Sequence, residues 1–379
     1  MSVDKINNVS YENVGNLSGI DNAGIDKINA QTLSDGGGDP PPADGATVAV
    51  IGSTKGWLGY SDGEGDWGSS TWGFYDTGKD IAYEVEYGFK PDGTELWILS
   101  INKSARPLKY STSAMPIQTS DWTNIDVIQS TKPSYGSAYG YSGSNSIATF
   151  VAVGSDARAS NTLSGDPTST ANWSMSSRLN SDCAASAQVR DAAFNGDIVN
   201  PVFVAVTNGG FIASSTDGST WTTRRDINNT DKALYRVEYG NGTWIACGYY
   251  GDMEHMRGSA DATSWSVMNT PSSPSATSMY GVATDDAGNW IMVGSLGYVW
   301  TSSDDGASWT EQQVPDSRGA GNYSNMLDVA YDGAGTWLIV GNASEIWKST
   351  NNGSTWTSVT PSRLSYQNFQ SIQFNKTKV

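Results

Sequence analysis

Seven tryptophans recur along the chain at similar intervals, and this repeat restricts the fold more than any other feature. They are Trp67, Trp122, Trp173, Trp221, Trp265, Trp309 and Trp356, separated by 55, 51, 48, 44, 44 and 47 residues. Each follows a polar turn, and each turn comes after an apolar run such as NWIMVGS at 289–295 or TWLIVGN at 336–342. A period of this length indicates a repeat architecture in which every unit is one supersecondary element.

Each repeat contains sequence for four strands. The apolar run is rich in β-branched and aromatic residues, which is typical of a short buried strand. Ahead of most runs lies another strand segment, such as LYRVEYG at 234–240, and a third strand segment, the turn and the tryptophan segment follow the run. Seven four-stranded units predict an all-β fold, a seven-bladed β-propeller over residues 47–379.

The two ends of this region predict how the ring closes. The first unit begins at its second strand, TVAVIGS at 47–53, whereas FQSIQFN at 369–375 has the pattern of a first strand with no run after it. We therefore expect the C-terminal strand to complete blade 1, because this pairing removes two free sheet edges.

The turn before Trp309 has the sequence SSDDGASW at 302–309. An aspartate can accept hydrogen bonds from backbone N–H groups of its own turn, and glycine permits the positive φ that a reversal needs. The pattern resembles the Asp-box, the S-x-D-x-G-x-x-W hairpin of sialidase-like and BNR-repeat propellers. The resemblance implies a structural role, with the tryptophan packed between blades, and it does not indicate an activity because catalytic and non-catalytic propellers share the motif.

The motif is clear in three blades and degenerate in four. The turn before Trp356 has asparagine in place of the aspartate, the turn before Trp221 has its aspartate displaced by one position, and the turn before Trp265 is looser. The residues assigned to these structural turns are Asp217, Gly218, Trp221, Asp261, Trp265, Ser302, Asp304, Gly306, Trp309, Asn351, Gly353 and Trp356.

The chain is strongly acidic, with 39 Asp and Glu against 22 Lys and Arg and a net charge of −17. Nucleic-acid binding is disfavoured because it depends on clustered Lys and Arg, and anionic membrane surfaces are disfavoured for the same reason. No segment approaches the roughly 20 apolar residues of a membrane span. The polar start of the chain also lacks the apolar core of a signal peptide.

Residues for catalysis are sparse. Sialidases hold the substrate carboxylate with three arginines, the first near the first blade, whereas no arginine precedes Arg106 here. The single histidine, His255, is expected in a surface loop without a second histidine for a metal site. Cys183 and Cys247 are expected to be free thiols, and the acidic segment 62–66 is expected to be a degenerate turn rather than a calcium loop. We predict no enzymatic activity, no cofactor and no metal.

Binding has more support than catalysis. Aromatic residues are frequent in the segments predicted to be loops, and such rings suit sugar stacking and protein contacts, although many can instead fill the gaps between blades. The candidate binding residues are Trp57, Tyr60, Tyr139, Tyr141, Tyr249, Tyr250 and His255.

Residues 1–33 form a separate arm, joined to the propeller by a Gly- and Pro-rich linker at 34–46. Its apolar residues repeat every 11 positions, and an apolar stripe this narrow needs a partner: identical arms, a neighbouring protein or the propeller. Asn, Ser and Gly between them oppose a helix, although an 11-residue period can also give a right-handed helical bundle. The arm residues assigned to docking are Val3, Ile6, Val9, Val14, Leu17, Ile20, Ile25 and Ile28.

The segments KINNVSYENV at 5–14 and GIDKINAQ at 24–31 resemble the KINGV-like N-terminal repeats of structural proteins from marine and cyanobacterial tailed phages. The resemblance implies a virion protein anchored by its N-terminus to other virion proteins. A place on the particle surface also reconciles an extracellular type of composition with the missing export signal, because phages leave the cell by lysis.

These observations favour a non-enzymatic phage protein, present in several copies, that displays its propeller for recognition of a host glycan or surface protein, as in a tail fibre. The alternatives are a capsid-surface decoration protein, a glycan-degrading propeller enzyme, and an assembly factor like the Asp-box propellers of photosystem biogenesis. Those factors carry an export or lipid signal, which is not found in residues 1–33.

Overall fold

A computed structural model provides the coordinates used below. It describes residues 5–6, 9–10, 49–53, 57–61, 67–68, 72–76, 80–102, 108–114, 116, 119–125, 133–142, 147–155, 158–162, 165–179, 187–225, 232–249, 255–268, 277–317, 319, 321–361 and 367–376.

Seven antiparallel sheets of four strands each make up the propeller. From the inner to the outer strand, blade 1 contains β30 (Phe369–Phe374), β3 (Ala49–Ser53), β4 (Trp57–Ser61) and β5 (Gly73–Asp76), and blade 2 contains β6 (Ala82–Phe89), β7 (Glu95–Ile101), β8 (Leu108–Ser111) and β9 (Thr123–Ile125). Blade 3 contains β10 (Ser134–Ser142), β11 (Ile147–Gly154), β12 (Arg158–Asn161) and β13 (Ser174–Arg178). Blade 4 contains β14 (Val189–Phe194), β15 (Phe203–Thr207), β16 (Ile212–Ser215) and β17 (Thr222–Arg225).

Blades 5 to 7 follow the same order. Blade 5 contains β18 (Leu234–Gly240), β19 (Thr243–Gly248), β20 (Met256–Gly258) and β21 (Trp265–Val267). Blade 6 contains β22 (Met279–Thr284), β23 (Trp290–Gly294), β24 (Tyr298–Ser302) and β25 (Thr310–Gln313). Blade 7 contains β26 (Met326–Tyr331), β27 (Trp337–Gly341), β28 (Ile346–Ser349) and β29 (Thr357–Ser358). Short 3₁₀ turns lie at Thr119–Asp121, Thr170–Asn172, Ser295–Gly297 and Asn342–Ser344.

The inner strands form a closed ring, because each contacts the inner strand of the next blade and β30 contacts β6. Closure occurs within blade 1, where β30 pairs antiparallel with β3, with Ile51 opposite Ile372 and Ala49 opposite Phe374. The predictions of seven blades and of a C-terminal strand that completes blade 1 are therefore confirmed.

The core consists of a series of interfaces between adjacent blades. The second strands β3, β15, β19, β23 and β27 are buried at every residue. A strand with paired neighbours on both edges and a blade on each face has no side exposed to water, so its sequence is continuously apolar. Burial of each Val, Leu, Ile or Met side chain contributes about 1.5–3 kcal/mol, and most of that contribution depends on the neighbouring blade.

Hydrogen bonds within each turn hold the tryptophan turns in shape. Asp304 Oδ1 accepts from the Ser308 N–H at 2.8 Å, while the Ser302 hydroxyl accepts from the Gly306 N–H at 2.9 Å. Asn351 Oδ1 similarly accepts from the Thr355 N–H at 3.0 Å in blade 7. An amide oxygen replaces a carboxylate oxygen there because the turn requires only an acceptor.

These turns also pack against the preceding blade. Trp309 belongs to a buried cluster with Ile245 and Cys247 of blade 5. Gly306 has φ +74°, and a Cβ on it would lie 2.5 Å from Ile245 Cδ1. Blade 5 differs at the corresponding position, where Ala262 adopts φ +56° and is fully buried.

In the arm, the structure describes only β1 (Lys5–Ile6) and β2 (Val9–Ser10), which pair antiparallel. The proposed docking residues Val3, Val14, Leu17, Ile20, Ile25 and Ile28 lie outside the described residues, and so does the linker at 34–46. Among the described residues, no helix is long and apolar enough to span a membrane.

Candidate functional site

A β-bulge occurs at the equivalent position of all seven inner strands. In blade 2, Ala82 pairs with Ile101 and Glu84 pairs with Ser100, which leaves Tyr83 between them without a partner. The corresponding pairings in the other six blades skip one residue in the same way. The skipped residues are Tyr83, Tyr135, Arg190, Tyr235, Tyr280, Leu327 and Gln370. Because a bulge re-aims the side chain of its extra residue, seven equivalent positions acquire a common direction.

All seven bulged residues line one cavity of about 500 Å³ at the end of the ring where the inner strands begin. We call this cavity the cup. Its wall is completed by Gln188, Asn208, Ala233, Arg236 and Tyr249. The volume lies within the range of roughly 300–1,000 Å³ that small-molecule sites have.

Five of the bulged residues form a continuous arc of rings and one cation. The ring centroids of Tyr83 and Tyr135 are 5.1 Å apart, and those of Tyr235 and Tyr280 are 5.7 Å apart. Arg190 lies between the two pairs, with its Cζ 5.2 Å from the Tyr135 centroid and 5.5 Å from the Tyr235 centroid. Cation–π contacts on both sides hold the guanidinium between the two rings.

The hydrogen-bond partner of Arg190 is a neutral side chain. Arg190 Nη1 donates to Gln188 Oε1 at 3.2 Å, and Gln188 Nε2 donates to the Tyr135 hydroxyl at 3.1 Å. Among the described residues, no carboxylate lies within ion-pair distance of Arg190. Burial lowers the pKa of its guanidinium, since the charged form loses contact with water.

Arg236 directly follows the bulged residue Tyr235 in the chain and lies at the bottom of the cup, where it also lines the next cavity. It extends from blade 5 to Glu84 of blade 2, to Asp191 of blade 4 at 3.5 Å and to Asp328 of blade 7 at 3.6 Å. Asp191 and Asp328 are buried, and the side chains of Arg236 and Glu84 are only 12% and 13% exposed. All four come from equivalent positions, each directly after a bulge. Arg236 is therefore already surrounded by carboxylates, in contrast to Arg190.

Burial dominates the protonation of this cluster. It raises the pKa of Asp191 to about 6, although the attraction of Arg236 acts in the opposite direction. Burial also raises the pKa values of Glu84 and Asp328. For Arg236, burial acts to lower the pKa, but the combined attraction of the three carboxylates outweighs it and raises the pKa.

On the other side of this cluster lies a second, smaller cavity of about 150 Å³. Its wall includes the small side chains Ala138, Ala193, Ala283 and Ala330. Arg236 and its carboxylates thus separate two spaces of different size, and the cup is the larger one.

The predicted binding aromatics lie in three different environments. Tyr249 lines the cup, whereas Tyr139 and Tyr141 lie on the inner strand β10, where Tyr139 packs against Phe150. Trp57 and Tyr60 lie on β4, and Tyr250 lies outside the described residues. The prediction that Trp57, Tyr60, Tyr139 and Tyr141 are loop residues is therefore wrong, because all four pair with residues of adjacent strands.

His255 is also not a surface residue. It is 1% exposed, its Nδ1 accepts a hydrogen bond from the Gly248 N–H at 3.3 Å, and its ring meets the edge of Trp300. Burial lowers the pKa of His255 to about 4. The prediction of a surface-loop histidine is wrong, because His255 directly precedes β20 and packs against Trp300 of the next blade.

The described part of the chain contains one cysteine thiol and no assembled group of metal ligands. Cys247 is a buried free thiol whose pKa burial raises, and Cys183 lies outside the described residues. Within the described ranges, no group of three His, Cys, Asp or Glu side chains is arranged to hold a metal ion.

Most of the cup was missed by sequence reasoning. Tyr83, Arg190, Tyr235 and Tyr280 were not selected, although each is the second residue of a first-strand segment. An alignment of the seven first strands by their apolar positions would have placed these residues in one column. It would not have shown the bulge that directs them into the cup.

Comparison with known proteins supports the fold. No protein-family model and no curated protein match the chain. The solved structure "YCF48 bound to D1 peptide" is 15% identical in sequence to this chain, with a TM-score of 0.52. The match covers 80% of this chain and 96% of the YCF48 chain. The WD40 propeller domain of Doa1 is 13% identical, with coverages of 78% and 85% and a TM-score of 0.54. YCF48 from Cyanidioschyzon merolae is 12% identical, with coverages of 79% and 95% and a TM-score of 0.51.

The chain is a seven-bladed β-propeller. At identities of 12–15%, the similarity establishes the fold alone. Function must be argued from the cup, because propellers with this architecture carry unrelated functions.

Proposed function

We propose that this protein is a non-enzymatic recognition protein of a bacteriophage particle, which docks on the particle through its arm and binds a host-surface component in the cup. The observation that carries the recognition role is the sevenfold bulge, which directs four tyrosines and Arg190 into one opening. Tyrosine offers a large contact area and a hydroxyl with few rotatable bonds, so ordering it on binding costs little entropy.

Rigidity of the wall favours binding. The bulged residues lie on inner strands that contact both neighbouring blades, and the rings of Tyr83, Tyr135, Tyr235 and Tyr280 already contact one another or Arg190. A preformed wall loses little conformational freedom when a ligand enters, which raises affinity.

The groups near the cup suit binding better than catalysis. Glu84, Asp191 and Asp328 are engaged by Arg236 below the cup, and His255 is buried against Trp300 rather than in the cup wall. A general acid or base must reach a substrate atom directly or through one water molecule. The non-enzymatic assignment rests on this arrangement.

One structural neighbour supports binding of a partner. The structure "YCF48 bound to D1 peptide" contains a propeller with a peptide bound to it. A propeller of similar architecture therefore serves as a binding platform in that protein, and we propose the same general use here.

The assignment to a virion rests on the arm. Its 11-residue apolar repeat needs a partner surface, and its resemblance to the repeats of tailed-phage proteins suggests other virion proteins as that partner. A tail-associated position is the leading proposal, and decoration of the capsid surface is the alternative that uses the same anchoring.

Binding through the cup is tested with fluorescently labelled full-length protein and cells of the host bacterium. We expect saturable binding that Tyr235→Leu weakens at least tenfold, because this change removes a ring that stacks on both Arg190 and Tyr280. Tyr298→Leu, on β24 outside the cup, is the matched control and should bind like the wild type. Equal binding by both variants, or release of new reducing ends from host polysaccharide, would contradict the proposal.

Particle association is tested separately. Phage particles purified from a lysate on a density gradient should contain this chain by mass spectrometry, and immunogold labelling should mark the tail. Labelling of the head would favour the decoration alternative. Recovery of the chain only in the soluble fraction would exclude a virion role.

A further inference from the structure

We infer that the cup binds an acidic saccharide, a sugar ring bearing one carboxylate, and that Arg190 holds this carboxylate. The inference rests on the recognition function proposed above and names the class of its ligand.

The charge of the wall is the first argument. The chain carries 39 acidic residues against 22 basic ones, yet the residues that line the described part of the cup include two arginines and no aspartate or glutamate. On so acidic a protein, a cavity wall without carboxylates is unusual. An anionic ligand would meet no carboxylate in this wall, although Glu84, Asp191 and Asp328 lie beneath it around Arg236.

The difference between the two arginines is the second argument. Arg236 is surrounded by Glu84, Asp191 and Asp328, so its charge is compensated within the protein. Arg190 has aromatic rings on either side and one described hydrogen bond, to a neutral amide. A partly desolvated cation without an anion is unfavourable, and a ligand carboxylate would supply the missing partner.

The geometry of Arg190 favours a carboxylate. The guanidinium lies between the rings of Tyr135 and Tyr235, and its described hydrogen bond uses only Nη1. A planar guanidinium matches the two oxygens of a carboxylate through parallel hydrogen bonds, which a lysine ammonium does not do.

The remainder of the wall favours a sugar over a peptide. Tyr83, Tyr235, Tyr249 and Tyr280 have hydroxyls without a partner among the described residues, and Gln370 and Asn208 add side-chain amides. Leu327 and Ala233 are the apolar aliphatic lining residues that are described. Peptide recognition relies on apolar pockets for side chains, whereas a polyhydroxylated ring requires many neutral hydrogen-bond partners and aromatic surface.

The test uses the full-length protein and three pairs of probes in isothermal titration calorimetry. The acids are trigalacturonate, a glucuronate trisaccharide and an N-acetylneuraminate trisaccharide, and each is paired with its methyl ester, which has nearly the same shape without the charge. We expect at least one acid to bind saturably, its ester to bind at least tenfold more weakly, and its affinity to fall with added salt.

Variants at Arg190 identify the group that holds the charge. Arg190→Gln should lower the affinity for the acid at least tenfold and leave the weak affinity for the ester unchanged. Arg190→Lys should give an intermediate affinity, because it keeps the charge and loses the planar fork. Arg224→Gln, on the outer strand β17, makes the same charge change outside the cup and should bind like the wild type. Melting temperatures establish that each variant is folded.

The outcomes separate this inference from the proposed function. Equal affinity for acid and ester, or unchanged acid binding by Arg190→Gln, overturns the role of Arg190. If no acid binds while Tyr235→Leu still abolishes attachment to cells, the saccharide inference fails and the recognition function remains. Saturable binding of an acidic hexapeptide in place of every sugar would likewise assign the cup to a protein ligand.

Discussion

The Asp191 carboxylate of blade 4 accepts a hydrogen bond from the Val237 N–H of blade 5, with an Oδ2 to N distance of 2.8 Å. Its Oδ1 accepts from the Ala192 N–H at 2.8 Å and lies 3.5 Å from Arg236. Among the described residues, no sheet ladder joins the inner strands of adjacent blades, so this carboxylate provides a polar connection that strand pairing does not. It also holds Arg236 beneath the cup.

Asp191→Ala should destabilise the protein by about 3–5 kcal/mol, because it leaves two N–H groups without their acceptor and removes one partner of a buried arginine. The free energy of unfolding in urea measures this loss. Asp92→Ala, at an exposed turn between β6 and β7, is the control and should cost much less than Asp191→Ala. Similar losses for the two variants would show that the connection between blades is unimportant.

His255→Asn should change how the free energy of unfolding depends on pH. Burial lowers the histidine pKa from 6.5 to about 4, so the folded protein binds this proton less readily than the unfolded chain. The contribution is fully present above pH 6.5 and is lost as the pH falls towards 4, with a total of about 3 kcal/mol. Asparagine keeps an acceptor for the Gly248 N–H and does not titrate.

Measured by urea unfolding from pH 7.5 to pH 4, the His255→Asn variant should lose less stability on acidification than the wild type. At pH 7.5 it should be moderately less stable, because the contact with Trp300 is reduced. Parallel pH profiles for the two proteins would contradict a buried neutral histidine.

Glu84→Gln should act in the opposite direction. Burial raises the pKa values of Glu84, Asp191 and Asp328, so between their unfolded values near 4 and their folded values the native state binds more protons. Their contribution to stability therefore falls as the pH rises from the unfolded values through the folded ones, of which that of Asp191 is about 6. Glu84→Gln removes one of these carboxylates, so it should reduce this fall and stabilise the protein at a pH where Glu84 of the wild type is ionised.

The Glu84→Gln profile is best compared with that of Glu311→Gln, a substitution on the outer strand β25 of blade 6. The histidine and the carboxylates have opposite effects on the pH dependence of stability, so the free energy of unfolding of the wild type should change little with pH. Removal of either group should make the effect of the other visible. A profile of Glu84→Gln that matches the control would indicate that Arg236 fully compensates all three carboxylates.

Gly306→Ala should cost about 2–4 kcal/mol. The position has φ +74°, and the added methyl group would meet Ile245 Cδ1 of blade 5, so backbone strain and overpacking act together. Ala262→Gly at the corresponding turn of blade 5 is the matched comparison, and relief of its positive φ should roughly balance the lost methyl packing. Thermal unfolding of both variants checks the pair, and equal losses would contradict this reasoning.

Part of the fold could be read directly from the residues. The spacing of Trp221, Trp265, Trp309 and Trp356 marks successive blades, and the run at 47–53 together with the segment at 369–375 predicted the closing pair. These predictions succeeded because strand periodicity and turn chemistry depend on residues that are close in sequence.

The cup could not be obtained in the same way. In a regular strand, successive side chains alternate between two faces, and one inserted residue reverses the direction of those that follow. Whether Tyr83, Arg190 or Tyr235 faces a neighbouring blade or the cup therefore depends on a bulge that the sequence pattern does not display. His255 illustrates the same limit, because its burial depends on Trp300 of the next blade.

The sequence by itself determined the number of blades, their order and the closing strand, because a local repeat specifies each blade and stacking then buries what each blade leaves exposed. Only the tertiary structure decided that Arg190 has no carboxylate partner among the described residues while Arg236 has three. Those side chains belong to blades 2, 4, 5 and 7 and are up to 244 residues apart along the chain. Their pairing depends on ring closure, which brings equivalent positions of distant repeats to a common axis.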